Sequence, residues 1–93
     1  MFLVYQLRLE QGKMYFGSTP SWRKQKRLSE HRSGSGSKWT RRFPPVKDKP
    51  VVRTWHFPTR AMAYAFEETV VEDFLAEHGL DAASGRPLRL FFF

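Results

Sequence analysis

Apolar and polar positions alternate over residues 3–9 at the start of the chain, which is typical of a half-buried β-strand. Four large side chains share one face of that strand: Leu3, Tyr5, Leu7 and Leu9. In the turn that follows, Gly12 can adopt a positive φ, and residues 14–17 then provide a second strand. The pattern predicts a β-hairpin.

The residues after the hairpin predict a helix with an unusual composition. Thr19 and Pro20 supply an N-cap and a first helical position, and the helix then runs to about Arg32. Its large apolar side chains are Trp22 and Leu28, among many basic residues. Packing alone does not account for such a helix, which points to a second role.

The second half of the chain predicts a loop, a strand and a long helix. Residues 33–50 have the composition of a mobile basic loop, and residues 51–57 are rich in β-branched and aromatic side chains. Thr59 caps a helix of about twenty residues that Gly79 ends. The order β-β-α-β-α predicts an α+β fold with a small three-stranded, largely antiparallel sheet flanked by helices.

The chain of 93 residues is predicted to be a single domain over residues 1–93, with a dense core. The tail at residues 86–93 could form a strand or an arm, and we expect residues 90–93 to pack on the core rather than form a dimer contact. Arg8 and Glu10 come too early for a signal peptide. We therefore expect an intracellular protein, cytoplasmic or nucleoid-associated, with no membrane segment.

Charge and cysteine content narrow the function classes. The chain has no cysteine, which excludes disulfides and thiolate zinc sites, and its net charge is +7. Residues 23–60 carry twelve Lys or Arg against two acids, whereas residues 61–81 carry six acids and no Lys or Arg. The basic part suits phosphates, so nucleic acid is the expected partner, with a solvated cationic surface as the alternative.

Two groups of side chains are candidates for chemistry. Arg23, Arg27 and His31 recur every four residues and share one face of the first helix. Glu67 lies on the apolar stripe of the second helix, where a carboxylate is costly without a partner. It could be a structural ion pair, or be exposed by a rotation of the helix, or be a metal ligand or acid/base group.

Several motifs together resemble the GIY-YIG nuclease domain along nearly the whole chain. The matching segments are LVY at 3–5, YFG at 15–17, RLSEHRSG at 27–34, GSKWTRR at 36–42 and HFPTRAMAYAFE at 56–67. The branch that cuts branched DNA and the small stand-alone members look most similar. The chain departs from the pattern at Leu3-Val4, at Ser18-Thr19 in place of a lysine, by about two extra residues between Gly17 and Arg27, and by the lack of a clear late asparagine.

The resemblance implies a metal-dependent endonuclease that hydrolyses DNA phosphodiester bonds, with branched or flapped DNA as candidate substrates. It implies that Glu67 holds one Mg²⁺ or Mn²⁺ and that Arg27 binds the scissile phosphate. Tyr5 or Tyr15 would orient or deprotonate the attacking water, and His31 would share the proton transfer. These roles require both tyrosines on one face of the hairpin, which a bulge or a three-residue turn over residues 11–13 would provide.

The partner prediction leaves alternatives open. Six side chains are expected to contact nucleic acid: Arg23, Lys24, Lys38, Trp39, Arg41 and Arg42. A non-catalytic DNA- or RNA-binding module of the same fold would use the same basic residues. A structural protein of a ribonucleoprotein particle is a third class. A homodimer, or a partner protein for targeting, is also compatible with the sequence.

Overall fold

A small sheet forms the centre of the computed structural model, which describes residues 1–79 and 82–84. Its strands are β1 (Phe2–Arg8), β2 (Met14–Pro20), β3 (Val51–Phe57) and the two-residue β4 (Ala83–Ser84). Their order across the sheet is β3-β1-β2-β4. Strand β1 is antiparallel to both of its neighbours, and β4 adds parallel to β2.

Helices cover both faces of the sheet. They are α1 (Lys24–Ser33), the short α2 (Lys38–Arg42) and α3 (Arg60–His78). The side chain of Thr59 accepts a hydrogen bond from the Met62 N–H at 3.2 Å, so the predicted N-cap of α3 is confirmed. The α+β class, the β-β-α-β-α order and the three-stranded antiparallel sheet are confirmed as well. The predicted arm at 86–93, with its packing, lies outside the described residues.

The core has two parts because β1 is buried on both faces. The part under α1 and α2 is formed by these buried side chains: Leu3, Tyr5, Leu7, Leu9, Leu28 and Phe43. The part under α3 contains Phe16, Val71, Leu75 and Ala83. Within the described residues, no helix has the length and apolar character needed to cross a bilayer.

The predicted start of the first helix is wrong. Strand β2 continues to Pro20, since Leu3 pairs with Thr19 and Phe2 pairs with Pro20. A 3-10 turn over Ser21–Arg23 follows, and α1 begins only at Lys24. Pairing along the full length of β1 therefore outweighs the local signal for a helix cap. The predicted end is confirmed, with Gly34 in the left-handed region at φ 86°.

The prediction of a mobile loop over residues 33–50 is also wrong. This segment contains α2, and the Ser37 side chain caps it by accepting a hydrogen bond from the Thr40 N–H at 3.1 Å. The Trp39 indole N–H donates to the Met14 carbonyl at 2.8 Å, and its ring packs on Phe43. These anchors order a sequence whose composition alone is typical of a linker.

The register of the hairpin decides whether the two tyrosines share a face. Tyr5 pairs with Gly17, and Leu7 pairs with Tyr15. Because side chains two residues apart on a strand point the same way, Tyr5 and Tyr15 lie on one face. A three-residue turn over Glu10–Gly12 produces this arrangement. The requirement for a shared face is confirmed.

The expected position of the turn differs by one residue from the observed one. The Leu9 N–H bonds to the Lys13 carbonyl at 2.8 Å, so Leu9 lies opposite Lys13 rather than Tyr15. Gln11 and Gly12 both adopt positive φ, 61° and 73°, which closes the hairpin one residue earlier. The parity of the pairing is unchanged, and so is the face of each tyrosine.

Gly17 is required because both tyrosine rings pack against its Cα. A Cβ at this position would lie 2.5 Å from the Tyr5 hydroxyl oxygen and 2.8 Å from Cε2 of Tyr15. Backbone atoms of a paired strand cannot move away easily. The rings would have to move instead, and the pair would lose its arrangement.

We predict that Gly17→Ala lowers the free energy of unfolding by about 1–3 kcal/mol, the usual cost of overpacking. Urea denaturation measures this change. The control is Ser18→Ala on the same strand, where a half-exposed hydroxyl is removed and the expected change is within about 0.5 kcal/mol. Equal stabilities for the two variants would contradict the close packing at Gly17.

Candidate active site

A polar cleft opens beside the part of β2 that follows its pairing with β4. Strand β4 pairs with Met14 and Tyr15, and the cleft begins there and follows β2 to its end. Its volume is about 290 Å³. The lining residues come from β2, the 3-10 turn, α1 and α3: Tyr15, Gly17, Ser18, Thr19, Pro20, Arg23, Arg27, Arg60, Tyr64 and Glu67. Elements from both faces of the sheet therefore meet at this edge.

Five side chains predicted to be catalytic surround the cleft or contact its wall. Tyr15, Arg27 and Glu67 line it directly. Tyr5 and His31 lie behind Tyr15, with ring centroids 6.2 Å and 4.7 Å from that of Tyr15. The structure brings together residues that are up to 62 positions apart in the sequence.

Glu67 is directed toward the cleft by the helical repeat of α3. The buried residues of α3 are Ala63, Glu67, Val71 and Leu75, spaced four apart. Glu67 is only 1% exposed, so the helix is not rotated to place it in solvent. Its negative charge also acts on the Tyr5 hydroxyl, whose pKa it helps to raise. The carboxylate is thus buried at the meeting point of α3 and β2.

Arg27 is held in place by an acidic neighbour on its own helix. Its Nη1 lies 3.1 Å from Oε1 of Glu30, while Nη2 of Arg23 lies 3.2 Å from Oε2 of the same carboxylate. The hydrogen bond from Arg27 holds the pKa of Glu30 below its usual range. Glu30 thus positions two guanidinium groups at the cleft while leaving other donors of each fork available for a phosphate.

A chain of hydrogen bonds links β1, α1 and α2 behind the cleft. The Tyr5 hydroxyl lies 2.8 Å from Nε2 of His31, and Nδ1 of His31 lies 2.9 Å from Oγ1 of Thr40. The Ser37 hydroxyl lies 2.9 Å from the same Thr40 oxygen. Both His31 and Thr40 are fully buried. Gly36 permits this arrangement, because a Cβ there would collide with the His31 ring.

The pKa values of Tyr5 and His31 leave both side chains uncharged at neutral pH. Burial raises the pKa of Tyr5, and the nearby Tyr15 adds to the effect, so the phenol keeps its proton. Burial, together with the positive charge of Arg27, lowers the pKa of His31 to about 4, so the imidazole is neutral. The hydrogen bonds of His31 to Tyr5 and Thr40 therefore join neutral groups, with one ring nitrogen donating and the other accepting.

The donor set of the cleft fits a hard divalent cation. Among the described residues, Glu67 is the only carboxylate that lines the cleft, and no group of three or more Asp, Glu or His could hold a metal ion there. Mg²⁺ and Mn²⁺ suit such a site, because they bind through one or two carboxylates and keep several waters. Oγ1 of Thr19 is buried beside the cleft without a hydrogen-bond partner among the described residues, so an ordered water there would satisfy it.

The six predicted nucleic-acid contacts occupy different places. Arg23 lines the cleft and Lys24 follows it on α1. Lys38, Arg41 and Arg42 are exposed on α2, away from the cleft lining. Trp39, by contrast, is half-buried and packs against the core, and its indole N–H donates to the Met14 carbonyl. The geometry therefore leaves the five basic side chains as candidates for nucleic-acid contacts, whereas Trp39 contributes to folding.

Arg60 and Tyr64 also belong to the cleft, although neither was assigned to the site from the sequence. Both line the cleft on the same side of α3 as Glu67. Arg60 and Tyr64 precede Glu67 by seven and three residues, and this spacing is the signal that could have found them, because such positions share one helix face. The Arg60 guanidinium lies over the rings of Phe2 and Tyr64, at 5.1 Å and 6.0 Å from their centroids.

The buried neutral imidazole of His31 makes stability depend on pH. Its pKa is about 4 in the folded protein and near its ordinary value of ~6.5 in the unfolded chain, which therefore binds more protons between these values. We predict that the stability that depends on a neutral His31 is fully present above pH ~6.5. It is lost by about 1.4 kcal/mol per pH unit as the pH falls toward 4.

Urea denaturation of the parent and of His31→Gln at pH 7 and pH 5 measures this effect. The amide of glutamine can form hydrogen bonds but does not titrate. From pH 7 to pH 5 the free energy of unfolding of the parent should fall by about 2 kcal/mol more than that of the variant. Only ~1.5 pH units of that interval lie below the unfolded pKa of ~6.5. Equal losses in the two proteins would contradict the neutral state of His31.

Comparisons with known proteins identify the family of this chain. Residues 1–79 match the family model of the GIY-YIG catalytic domain. The chain is also 36% identical to the UPF0213 protein BH0048 of Halalkalibacterium halodurans over 67 residues, which are 72% of this chain and 66% of that relative. The chain thus spans just under two thirds of that relative's length, and no solved structure matches significantly. Because the family model matches most of the chain, the chain belongs to the GIY-YIG catalytic domain family.

Proposed function

We propose that this chain is a metal-dependent endonuclease that hydrolyses phosphodiester bonds in DNA. Membership of the GIY-YIG catalytic domain family implies nuclease-type phosphodiester hydrolysis, and that family generally uses a divalent metal ion. One observation carries the proposal: a buried carboxylate, Glu67, lies at the same polar cleft as Arg27 and Tyr15. Simple binding of phosphates would be opposed by a carboxylate at this position.

Arg27 binds the scissile phosphate in this mechanism. Its guanidinium is always charged and presents a rigid set of donors that matches phosphate oxygens. Glu30 fixes the position of the Arg27 guanidinium. Burial alone would lower the pKa of Arg27, but the hydrogen bond to Glu30 and the nearby tyrosines outweigh burial, so the pKa of Arg27 is raised. Arg23 and Arg60 add positive charge along the lining of the cleft. Such fixed charges stabilise the developing charge on phosphorus without reorganising during the reaction.

Tyr15 is the tyrosine that reaches the attacking water, because it lines the cleft whereas Tyr5 is 2% exposed. Tyr5 is hydrogen-bonded to His31, and its ring lies behind that of Tyr15. Glu67 is the residue that would hold the divalent ion. When bound, that ion would stabilise the leaving oxygen and the charge on phosphorus. The raised pKa of Tyr5 and the lowered pKa of His31 oppose proton transfer between them, so His31 acts by holding the Tyr5 hydroxyl in place through its hydrogen bond.

A non-catalytic binding module of the same fold is the main competing function. It would use the exposed basic residues of α2 and would need no divalent ion. Incubation of the protein with plasmid and with branched or flapped DNA, in Mg²⁺, Mn²⁺ or EDTA, separates the two functions. Cutting with a metal and none in EDTA supports the nuclease, whereas salt-sensitive binding without cutting under any condition supports the module.

We predict that Glu67→Gln folds, binds DNA at least as well as the parent and loses cleavage by orders of magnitude. The amide keeps the size of the side chain but removes the charge that a divalent ion needs. A bound ion stabilises the transition state by several kcal/mol, and this stabilisation would be lost. A cleavage time course with Mg²⁺ and a binding titration in EDTA measure the two effects.

Glu68→Gln is the matched control, since Glu68 follows Glu67 on α3 and lies outside the cleft lining. It should cut at the parental rate. Cleavage by Glu67→Gln at the parental rate would place the metal elsewhere or refute the nuclease. Failure of Glu67→Gln to fold would assign Glu67 a structural role.

We predict that Arg27→Ala loses about 10²- to 10³-fold in cleavage rate, as expected for removal of a fixed transition-state donor. Its binding to DNA should fall far less. Arg41→Ala and Arg42→Ala should instead weaken binding and each remove about 0.9 from the slope of log K against log salt, with little effect on the saturated cleavage rate. Parallel losses of cleavage and binding in all three variants would contradict a special role for Arg27.

A further inference from the structure

Trp22 is the most exposed large hydrophobic side chain in the described residues. It is 83% exposed, compared with 50% for Met62 and 39% for Val52. The other two tryptophans are used by the fold: Trp39 packs on Phe43, and Trp55 packs on Phe66 at 4.9 Å between centroids. Within residues 1–79 and 82–84, Trp22 has no hydrogen bond and no ring contact.

The backbone that carries Trp22 is firmly held. Trp22 is the middle residue of the 3-10 turn Ser21–Arg23, which begins directly after Pro20. Both the N–H and the hydroxyl of Ser21 donate to the Met1 carbonyl, at 3.0 Å and 3.1 Å. On the other side, the Arg23 side chain is fixed by Glu30. The indole is therefore presented to solvent from an ordered support rather than from a free loop.

The position of Trp22 ties it to the cleft. Its neighbours Pro20 and Arg23 both line the cleft, and the Cα atoms of Trp22 and Arg23 are one peptide unit, ~3.8 Å, apart. The surroundings are strongly basic, since Arg23, Lys24 and Arg27 follow Trp22 in the sequence and Arg60 also lines the cleft. An isolated exposed hydrophobic residue is common on protein surfaces. A flat indole beside a cleft lined by several arginines is a more specific sign of a ligand contact.

From this placement we infer that Trp22 is a stacking platform for an unpaired nucleobase of the strand whose phosphate occupies the cleft. An indole stacks on any base, and cations beside it hold the neighbouring phosphates. The bases inside an intact duplex already have both faces covered by their neighbours. The substrate class is therefore DNA with an unpaired nucleotide next to the cut, as at a flap, a fork or a single-stranded end. This inference rests on the proposed function for the phosphate in the cleft.

Binding titrations in EDTA test the inference without cleavage. The probes are a single-stranded oligodeoxyadenylate and a blunt duplex of equal length, each titrated at several salt concentrations. Trp22→Ala should weaken single-strand binding by about 5- to 150-fold, the range measured for the loss of one aromatic stacking partner. Its salt slope should not change, because no charge is removed. Duplex binding should stay within about twofold of the parent.

Two further variants serve as controls. Trp22→Phe keeps a ring and should recover most of the single-strand affinity. Met62→Ala removes another exposed hydrophobic side chain, on the first turn of α3, and should change neither titration. Equal effects of Trp22→Ala on both probes, no effect on either, or an absence of single-strand binding by the parent would each overturn the inference.

The outcome is separable from that of the proposed nuclease activity. If the parent binds single strands through Trp22 but never cuts with Mg²⁺ or Mn²⁺, the nuclease proposal fails and the stacking platform stands. If the parent cuts and Trp22→Ala binds single strands as the parent does, only the stacking platform fails.

Discussion

The hydrogen bond between the Tyr5 hydroxyl and His31 decides how the basic helix α1 sits on the sheet. Only Leu28 and His31 of α1 are buried, so the helix has little apolar surface with which to dock. A buried imidazole must have partners for both nitrogens, and Tyr5 on β1 and Thr40 on α2 supply them at 2.8 Å and 2.9 Å. A polar contact therefore docks α1 on the sheet, where a hydrophobic helix face would usually do so. The other faces of α1 can then carry charged side chains.

The same contact also positions side chains of the cleft. Docking of α1 through His31 places Arg27, one turn earlier, at the edge of β2, and Glu30 then holds the guanidinium there. Gly17 lets both tyrosine rings lie against β2. On the other side of the sheet, the repeat of four along α3 carries Glu67 to the same edge. Packing constraints on three elements thus converge on one polar site.

The distribution of charged side chains in and around the cleft fits the proposed chemistry. Cationic groups line the cleft from α1 and α3, with a single carboxylate between them in the described part of the chain. Exposed basic residues of α2 extend the positive surface away from the cleft. The arrangement combines long-range attraction of a phosphate backbone with a local site in which fixed charges face one phosphate. Trp22 adds a flat apolar surface where that site meets solvent.

The sequence by itself determined the class of fold, the end of α1 at Gly34, the limits of α3, and the place of Glu67 on the apolar stripe of that helix. These features are local: they depend on alternation, caps and the helical repeat, which short segments specify. The tertiary structure alone decided the extension of β2 to Pro20, the ordering of α2 and the packing of Trp39 against the core, because strand pairing and distant partners such as Met14 outweigh local preferences. It also decided that Arg60 and Tyr64 join the cleft and that Trp22 does not pack. Which members of a helix face meet a cleft depends on the element packed beside it, and no local pattern contains that information.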